Sequence, residues 1–254
     1  MRALSFLVVS MPARFKAFLI HLSLSAAVAG LVLLLVFGLW YPAPLQVATG
    51  VTGIFMLLLA VDVTLGPVLT LIVYKVGKKS LFFDMLVIAC LQLAALSYGL
   101  WSVADGRPAW LVFNVDRFDL VRVPDIDDRK LQQAEERYRS PSWLGPQWVA
   151  AVSPVDIDER NALVLESTRG GSDLPHRPNY YQPLPDLREK VQARLRSLKE
   201  LESFNSSDAV EKVKREWPDA DTWLPLKASV QSMVVLMRSD RAEVVSVVDL
   251  RPWN

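Results

Sequence analysis

The chain has 254 residues, 52% of them hydrophobic and 22% charged, with a net charge of +1 and a mean hydropathy of +0.24. That is too apolar for an average soluble protein, and the absence of a strongly basic patch excludes a nucleic-acid partner. The charges are unevenly placed: residues 1–104 carry six Lys/Arg and two Asp/Glu, and residues 105–254 carry the other 22 and 25. A membrane region over 1–104 followed by a polar domain over 105–254 is therefore expected, the second part long enough for its own core.

The first apolar run, Phe18 to Trp40, reads FLIHLSLSAAVAGLVLLLVFGLW. At about 1.5 Å per residue it can cross about 30 Å of hydrocarbon. A cleaved signal peptide is the competing reading, since Arg14 and Lys16 precede the run. Against it, the run exceeds a typical signal core and YPAPLQ is a poor cleavage site. An uncleaved anchor is expected, with Trp40 and Tyr41 at an interface. Translation from Met11 in place of Met1 would still give a good basic flank, Arg14 and Lys16. Ser23, Ser25, Ala26, Ala27, Ala29 and Gly30 give this helix a small-residue face suited to helix contacts in lipid. His21 lies about one turn in and reads as interfacial, at a depth that matches Asp62 poorly.

The second run extends from about Val47 to Tyr74 and the third from about Leu81 to Val103, giving three spans at 18–40, 47–74 and 81–103. Basic residues flank the first run (Arg2, Arg14, Lys16) and fill the second loop (Lys75, Lys78, Lys79), while YPAPLQ has none. The positive-inside rule then places the N-terminus in the cytoplasm and the domain after Asp105 outside, in a bacterium the periplasm. Asp84 opens the third helix, where a carboxylate suits the positive end of the dipole. The lone cysteine, Cys90, reads as a small buried apolar residue.

The stretch DVTLGP puts Asp62 in mid-span. A charged carboxylate at the bilayer centre costs about 2.5–3.5 kcal/mol on insertion scales, so it should be neutral, paired or turned to a polar cavity. Pro67 leaves the carbonyl of Val63 without its usual donor, and Gly66 admits a close neighbour. Antiparallel second and third helices bring Gln92 within about a turn of Asp62 in depth. Asp62, Gly66, Pro67 and Gln92 thus form a candidate intramembrane contact. Three uses stay open: a bond within the chain, a contact with a partner's polar group, or ion conduction.

In the polar domain, AWLVFNVDRFDLVRV should begin a sheet. DIDDRKLQQAEERYR reads as a polar helix, PQWVAAV as a short strand and DIDERNALVLES as a helix. TRGGSDLPHRPNYYQPLP reads as a loop. DLREKVQARLRSLKELESF places Leu187, Val191, Leu195 and Leu198 on one helical stripe. SSDAVEKVKREW is a capped helix, and LKASVQSMVVLMRSD with AEVVSVVDLRPW forms a hairpin. The class is therefore α+β behind three transmembrane helices. The DIDD and DIDER carboxylates could bind a cation, but solvated helix starts explain them better. His176 stands alone, no metal-ligand spacing appears, and neither a catalytic constellation nor a cofactor is expected. Most of Trp143, Trp148, Trp217, Trp223 and Trp253 should be core. Tyr180 and Tyr181, in the Pro-rich loop, are candidates for a partner-facing site.

The stretches RFKAFLIHLSLSAAVAGLVLLLVFGLWYPAPL, VDVTLGPVLTLIV, GKKSLFFD and RPAWLVFNVDRFDLV, with the closing LRPW, resemble the type IV pilin accessory proteins of bacterial inner membranes. Residues 125–225 match more loosely. The resemblance implies a role in type IV pilus biogenesis, promoting assembly of a pilin or tuning pilus dynamics, and no enzymatic reaction. It implies as partners a type IV pilin, major or minor, other inner-membrane pilus components, and lipid. A pilin awaiting assembly is one apolar membrane helix with its own charges and an exported head, so Asp62 could pair with a polar or cationic group on that helix. The alternatives are a subunit of a membrane enzyme or transporter using Asp62 as an ionisable group, or a scaffold for the pilus machine that does not touch pilin.

Overall fold

The computed structural model describes residues 11–254; Arg2 and the choice between Met1 and Met11 lie outside the described residues. The chain forms two compact units, one holding the chain up to Gly38 with Val51–Ala104, the other Leu39–Gly50 with Asp105–Asn254.

The first unit consists of three helices long and apolar enough to cross a membrane, Ala13–Trp40, Val51–Val73 and Leu81–Asp105, as in a multi-pass membrane protein. The first comprises α1, Ala13–Leu35, and a π-helical turn, Val36–Trp40. The second run does not enter its long helix at Val47. Leu45–Thr49 forms a separate short helix, α2, ended by Gly50 at φ +73°. The left-handed region is open to glycine without a Cβ penalty, and here a Cβ would also meet Val230 Cγ2 at 3.0 Å. The long helices α3, Val51–Val73, and α4, Leu81–Asp105, follow.

α2 belongs to the polar unit. Leu45 and Ala48 are buried in that unit's largest core, among Leu111, Phe118, Leu226 and Met237. The Ala48 carbonyl accepts the backbone N–H groups of Val230 and Gln231 at 3.1 and 3.2 Å. Trp40 donates its indole N–H to the Trp143 carbonyl at 3.0 Å. The Tyr41 hydroxyl is pushed up to about 12 by burial, with Arg122 and Arg107 pulling the other way. The uncharged YPAPLQ loop is therefore a core element, which its lack of charge permits.

The polar unit is mixed α/β around one curled sheet. Its strands are β1 (Pro108–Asn114), β2 (Arg117–Arg122), β3 (Gln147–Ala151), β4 (Tyr181–Pro183), β5 (Arg196–Ser197), β6 (Thr222–Lys227), β7 (Met233–Arg238) and β8 (Glu243–Val248). The order is β4-β3-β1-β2-β6-β7-β8, with β5 beside β6. β1 and β3 are parallel, as are β2 and β6; the other pairs are antiparallel.

Side-chain alternation builds the cores. Leu111, Phe113, Leu224, Leu226, Val235 and Met237 share one face with Leu187 and Val191. On the opposite face, Trp110, Val112 and Val149 pack with Tyr138 and Tyr181, and Trp223, Val234 and Leu236 pack under Leu198, Leu201 and Val210. Besides α2, three helices belong to the unit: α5 (Ile157–Thr168), α6 (Arg188–Gln192) and α7 (Ser207–Glu216). Ser206 caps α7 by accepting from the Ala209 N–H.

Two expected helices fail here, and one strand went unread. The segment after β2 is not a helix but a string of 3-10 turns at Val123–Asp125, Leu131–Gln133 and Glu136–Tyr138. Its acids pair with local arginines, Asp125 with Arg122 and Asp127 with Arg129, and also accept from the backbone N–H groups of the same two residues, bonds that compete with helix. The stripe from Leu187 to Leu198 is also no single helix: α6 stops at Gln192, and Ser197 starts a new 3-10 turn with Glu200 in a capping box. β6 was hidden by Pro225. The β5 ladder ends at Trp223 and the β2 ladder begins at Leu226, so the proline removes no donor from either.

Candidate functional site

The polar centre of the membrane unit is assembled by α1, α3 and α4. Gly66 and Pro67 are buried where α4 crosses α3. A Cβ on Gly66 would stand 2.1 Å from Gln92 Cδ, so glycine is what admits the amide. Gln92 Nε2 donates to the backbone carbonyl of Asp62 at 3.0 Å. The carbonyl oxygen of Gln92 then remains to accept, and His21 Nε2 lies 2.7 Å from it. Nε2 therefore carries a proton for this bond, and Nδ1 lies 2.6 Å from the Thr70 hydroxyl. One imidazole thus engages α3 through Thr70 and α4 through Gln92.

This differs from the sequence reading in two respects. Gln92 reaches Asp62, but at its backbone carbonyl and not at its carboxylate. His21 is not simply interfacial: its ring contacts Thr70 and Gln92, because α3 runs against α1 and brings Thr70 to the His21 level. A histidine one turn inside a span and a threonine near the far end of the next were the available signal; pairing them needed the helix register.

The Asp62 carboxylate accepts no hydrogen bond among the described residues. It is half-buried and lines two cavities. One, of 480 Å³, lies between α3 and α4 and is walled by Leu57, Val61, Leu65, Leu91, Ala95 and Tyr98. The other, of 180 Å³, lies between α1 and α4 and is walled by His21, Leu24, Ser25, Val28 and Leu96. A carboxylate on this largely apolar floor can accept hydrogen bonds or pair with a cation.

In the polar unit, Tyr181 is 3% exposed. Its ring packs edge-on to Trp110 and Tyr138, and its hydroxyl donates to the Pro175 carbonyl. Tyr181 is a core residue and offers no partner surface. Tyr180 is half-buried and donates its hydroxyl to Glu159 at 2.6 Å. Asp156 caps α5 through the Glu159 N–H, while Asp125 and Asp127 serve arginines. Among the described residues no group of three or more His, Cys, Asp or Glu side chains is arranged to hold a metal.

The family described as fimbrial assembly protein FimB matches residues 9–50, the stretch forming α1 and α2. The chain is 31% identical to the fimbrial assembly protein of Dichelobacter nodosus serogroup I, over 85% of this chain and 88% of that protein. It is 30% identical to the serogroup E1 protein over the same shares. To the protein of serogroups C1 and C2 it is 37% identical over 45% of this chain and 89% of that one. No solved structure matches. With this identity running through both the membrane and polar units, the chain belongs to the fimbrial assembly protein family.

Proposed function

We propose that this chain acts in fimbria biogenesis by receiving the apolar membrane helix of a type IV fimbrial subunit in the groove between α3 and α4, with Asp62 as the polar contact. The observation that carries the reading is the Asp62 carboxylate, left without a hydrogen-bond partner among the described residues on the floor of a largely apolar groove. An unpaired charge there is costly, and a polar or cationic group on an incoming helix would relieve the cost. The Gln92 amide, committed to His21 and the Asp62 backbone, is not available to do so.

The orientation follows the basic residues. The N-terminus and the loop holding Lys75, Lys78 and Lys79 lie on the cytoplasmic side of the inner membrane, and the polar unit lies in the periplasm. In this arrangement the groove handles the subunit's helix and the polar unit works beside its exported head.

The test is the fimbriation of cells carrying Asp62→Asn. Loss of a charge-assisted hydrogen bond should weaken subunit capture about tenfold or more and reduce surface fimbriae, with Asp62→Glu keeping part of the activity. Full fimbriation by Asp62→Asn at normal protein level would rule out the contact.

A further inference from the structure

The sheet ends on β8, which pairs with β7 alone. Apart from that ladder, among the described residues the backbone of Glu243–Val248 engages the Ser246 hydroxyl, on the Val247 carbonyl, and the Leu250 N–H, on the Val248 carbonyl. A six-residue edge rich in valine with free backbone groups is a template for another strand, and native proteins usually shorten, charge or cover such edges. Here a cleft of 960 Å³ runs along it. Its other wall is Trp148 of β3 with Leu184 and Pro185, so the cleft is the open seam of the curled sheet. A single extended chain placed there would pair with β8 and set alternate side chains against Trp148 and Leu184.

The charge at the rim indicates what that chain carries. Arg188 and Arg241 line the cleft, with Glu243 as the acid beside them. Arg188 donates to the Asp240 carbonyl, which leaves its charge uncompensated by that bond. Arg241 lies 3.6 Å from the Asp240 carboxylate with both side chains more than half exposed. Glu243 is already 3.7 Å from Arg238.

We propose that the seam between β8 and β3 is a docking site for an extended segment of a partner protein, apolar at alternate positions and bearing a carboxylate that meets Arg188 and Arg241. Main-chain bonds to β8 supply affinity, and the wall and the two arginines supply selectivity.

The test uses the full chain in detergent micelles and three capped eight-residue peptides. The first alternates threonine and valine with one central glutamate; the second has lysine in its place; the third has proline at the centre. Binding is read by fluorescence anisotropy and its position by hydrogen exchange. The glutamate peptide should protect residues 243–248 and bind about fivefold tighter than the lysine peptide at low salt. The proline peptide should not bind, and Arg188→Glu, an exposed change, should abolish or invert the charge preference. Failure of the glutamate peptide to protect 243–248, or equal binding of the charged peptides, would overturn the proposal. So would a disulfide-linked dimer from Val245→Cys in a Cys90→Ser background, which would assign the edge to a second copy of the chain.

Discussion

At the residue scale the membrane unit turns on Gly66 and Gln92. The amide sits where a Cβ would be, and it joins α1, α3 and α4 by two hydrogen bonds. Such bonds in membrane proteins average about 0.6 kcal/mol each. Gln92→Leu is therefore expected to cost about 1 kcal/mol, and Gly66→Leu more, since it also forces the helices apart; thermal unfolding in detergent would measure both. If Gly66→Leu melts with the parent, the close approach is wrong. In the polar unit the comparable residue is Trp223, fully buried, with its indole N–H on the Ser197 carbonyl at 2.9 Å. Trp223→Ala should cost about 3–5 kcal/mol. The sequence made Asp62, Gly66, Pro67 and Gln92 legible as a group, because a carboxylate, a glycine and a proline within one span violate the usual economy of membrane helices. It hid His21, because hydropathy places a residue in depth but says nothing of which helix faces it. Tyr181 misled for a related reason: a Pro-rich stretch reads as a surface loop, yet this one folds back over β1 and β3 and buries the ring.

At the element scale, α5 is attached by charge. None of its residues is buried, and Ile157, Val164 and Leu165 are exposed. Its inner side is held by Glu166 on Arg177 at 2.6 Å and on Arg129, and by Glu159 on the Tyr180 hydroxyl and on Lys130 at 3.7 Å. Asp127 completes the cluster with Arg129 and, at 3.8 Å, Arg177. Arg177, then Arg129, hold the Glu166 carboxyl below its ordinary 4.5, and Arg129 holds Asp127 well below the usual range. Carboxylates depressed in the folded state contribute stability that is present above their unfolded values and lost as pH falls through the folded ones. Amide exchange in α5 should thus accelerate as pH drops below about 4, after correction for intrinsic rates, while β1 and β3 stay protected. Equal loss across the polar unit would contradict this attachment. The β7–β8 hairpin and α7 were legible from alternation and a serine cap. β6 was not, because the rule against proline in a central strand gives way where two partner strands share one edge. The helix expected after β2 failed because local arginine pairs outweighed helical propensity.

At the scale of the whole molecule, the three spans and the polar unit follow from where the charges lie, and the fold has the expected long apolar helices followed by a mixed α/β body. The role of YPAPLQ and α2 was not legible, since an uncharged six-residue loop is also what a plain turn between two spans looks like. Its burial makes the chain between the first two long helices part of the polar core, so Ala48→Asp should destabilise that core although it lies far from it in sequence. Reporter fusions are expected to place Lys78 in the cytoplasm and Asn254 in the periplasm; reversed signals would overturn the orientation and with it the proposed access to an exported subunit. The most direct measurement is a photo-crosslink in fimbriated cells, with the probe at Leu57 in the α3–α4 groove and a control probe at Tyr180. A crosslink from Leu57 to the membrane helix of the fimbrial subunit is expected, and its loss in Asp62→Asn. A Leu57 probe that captures other components of the assembly machine but never the subunit would contradict it, and would leave Asp62 a structural residue.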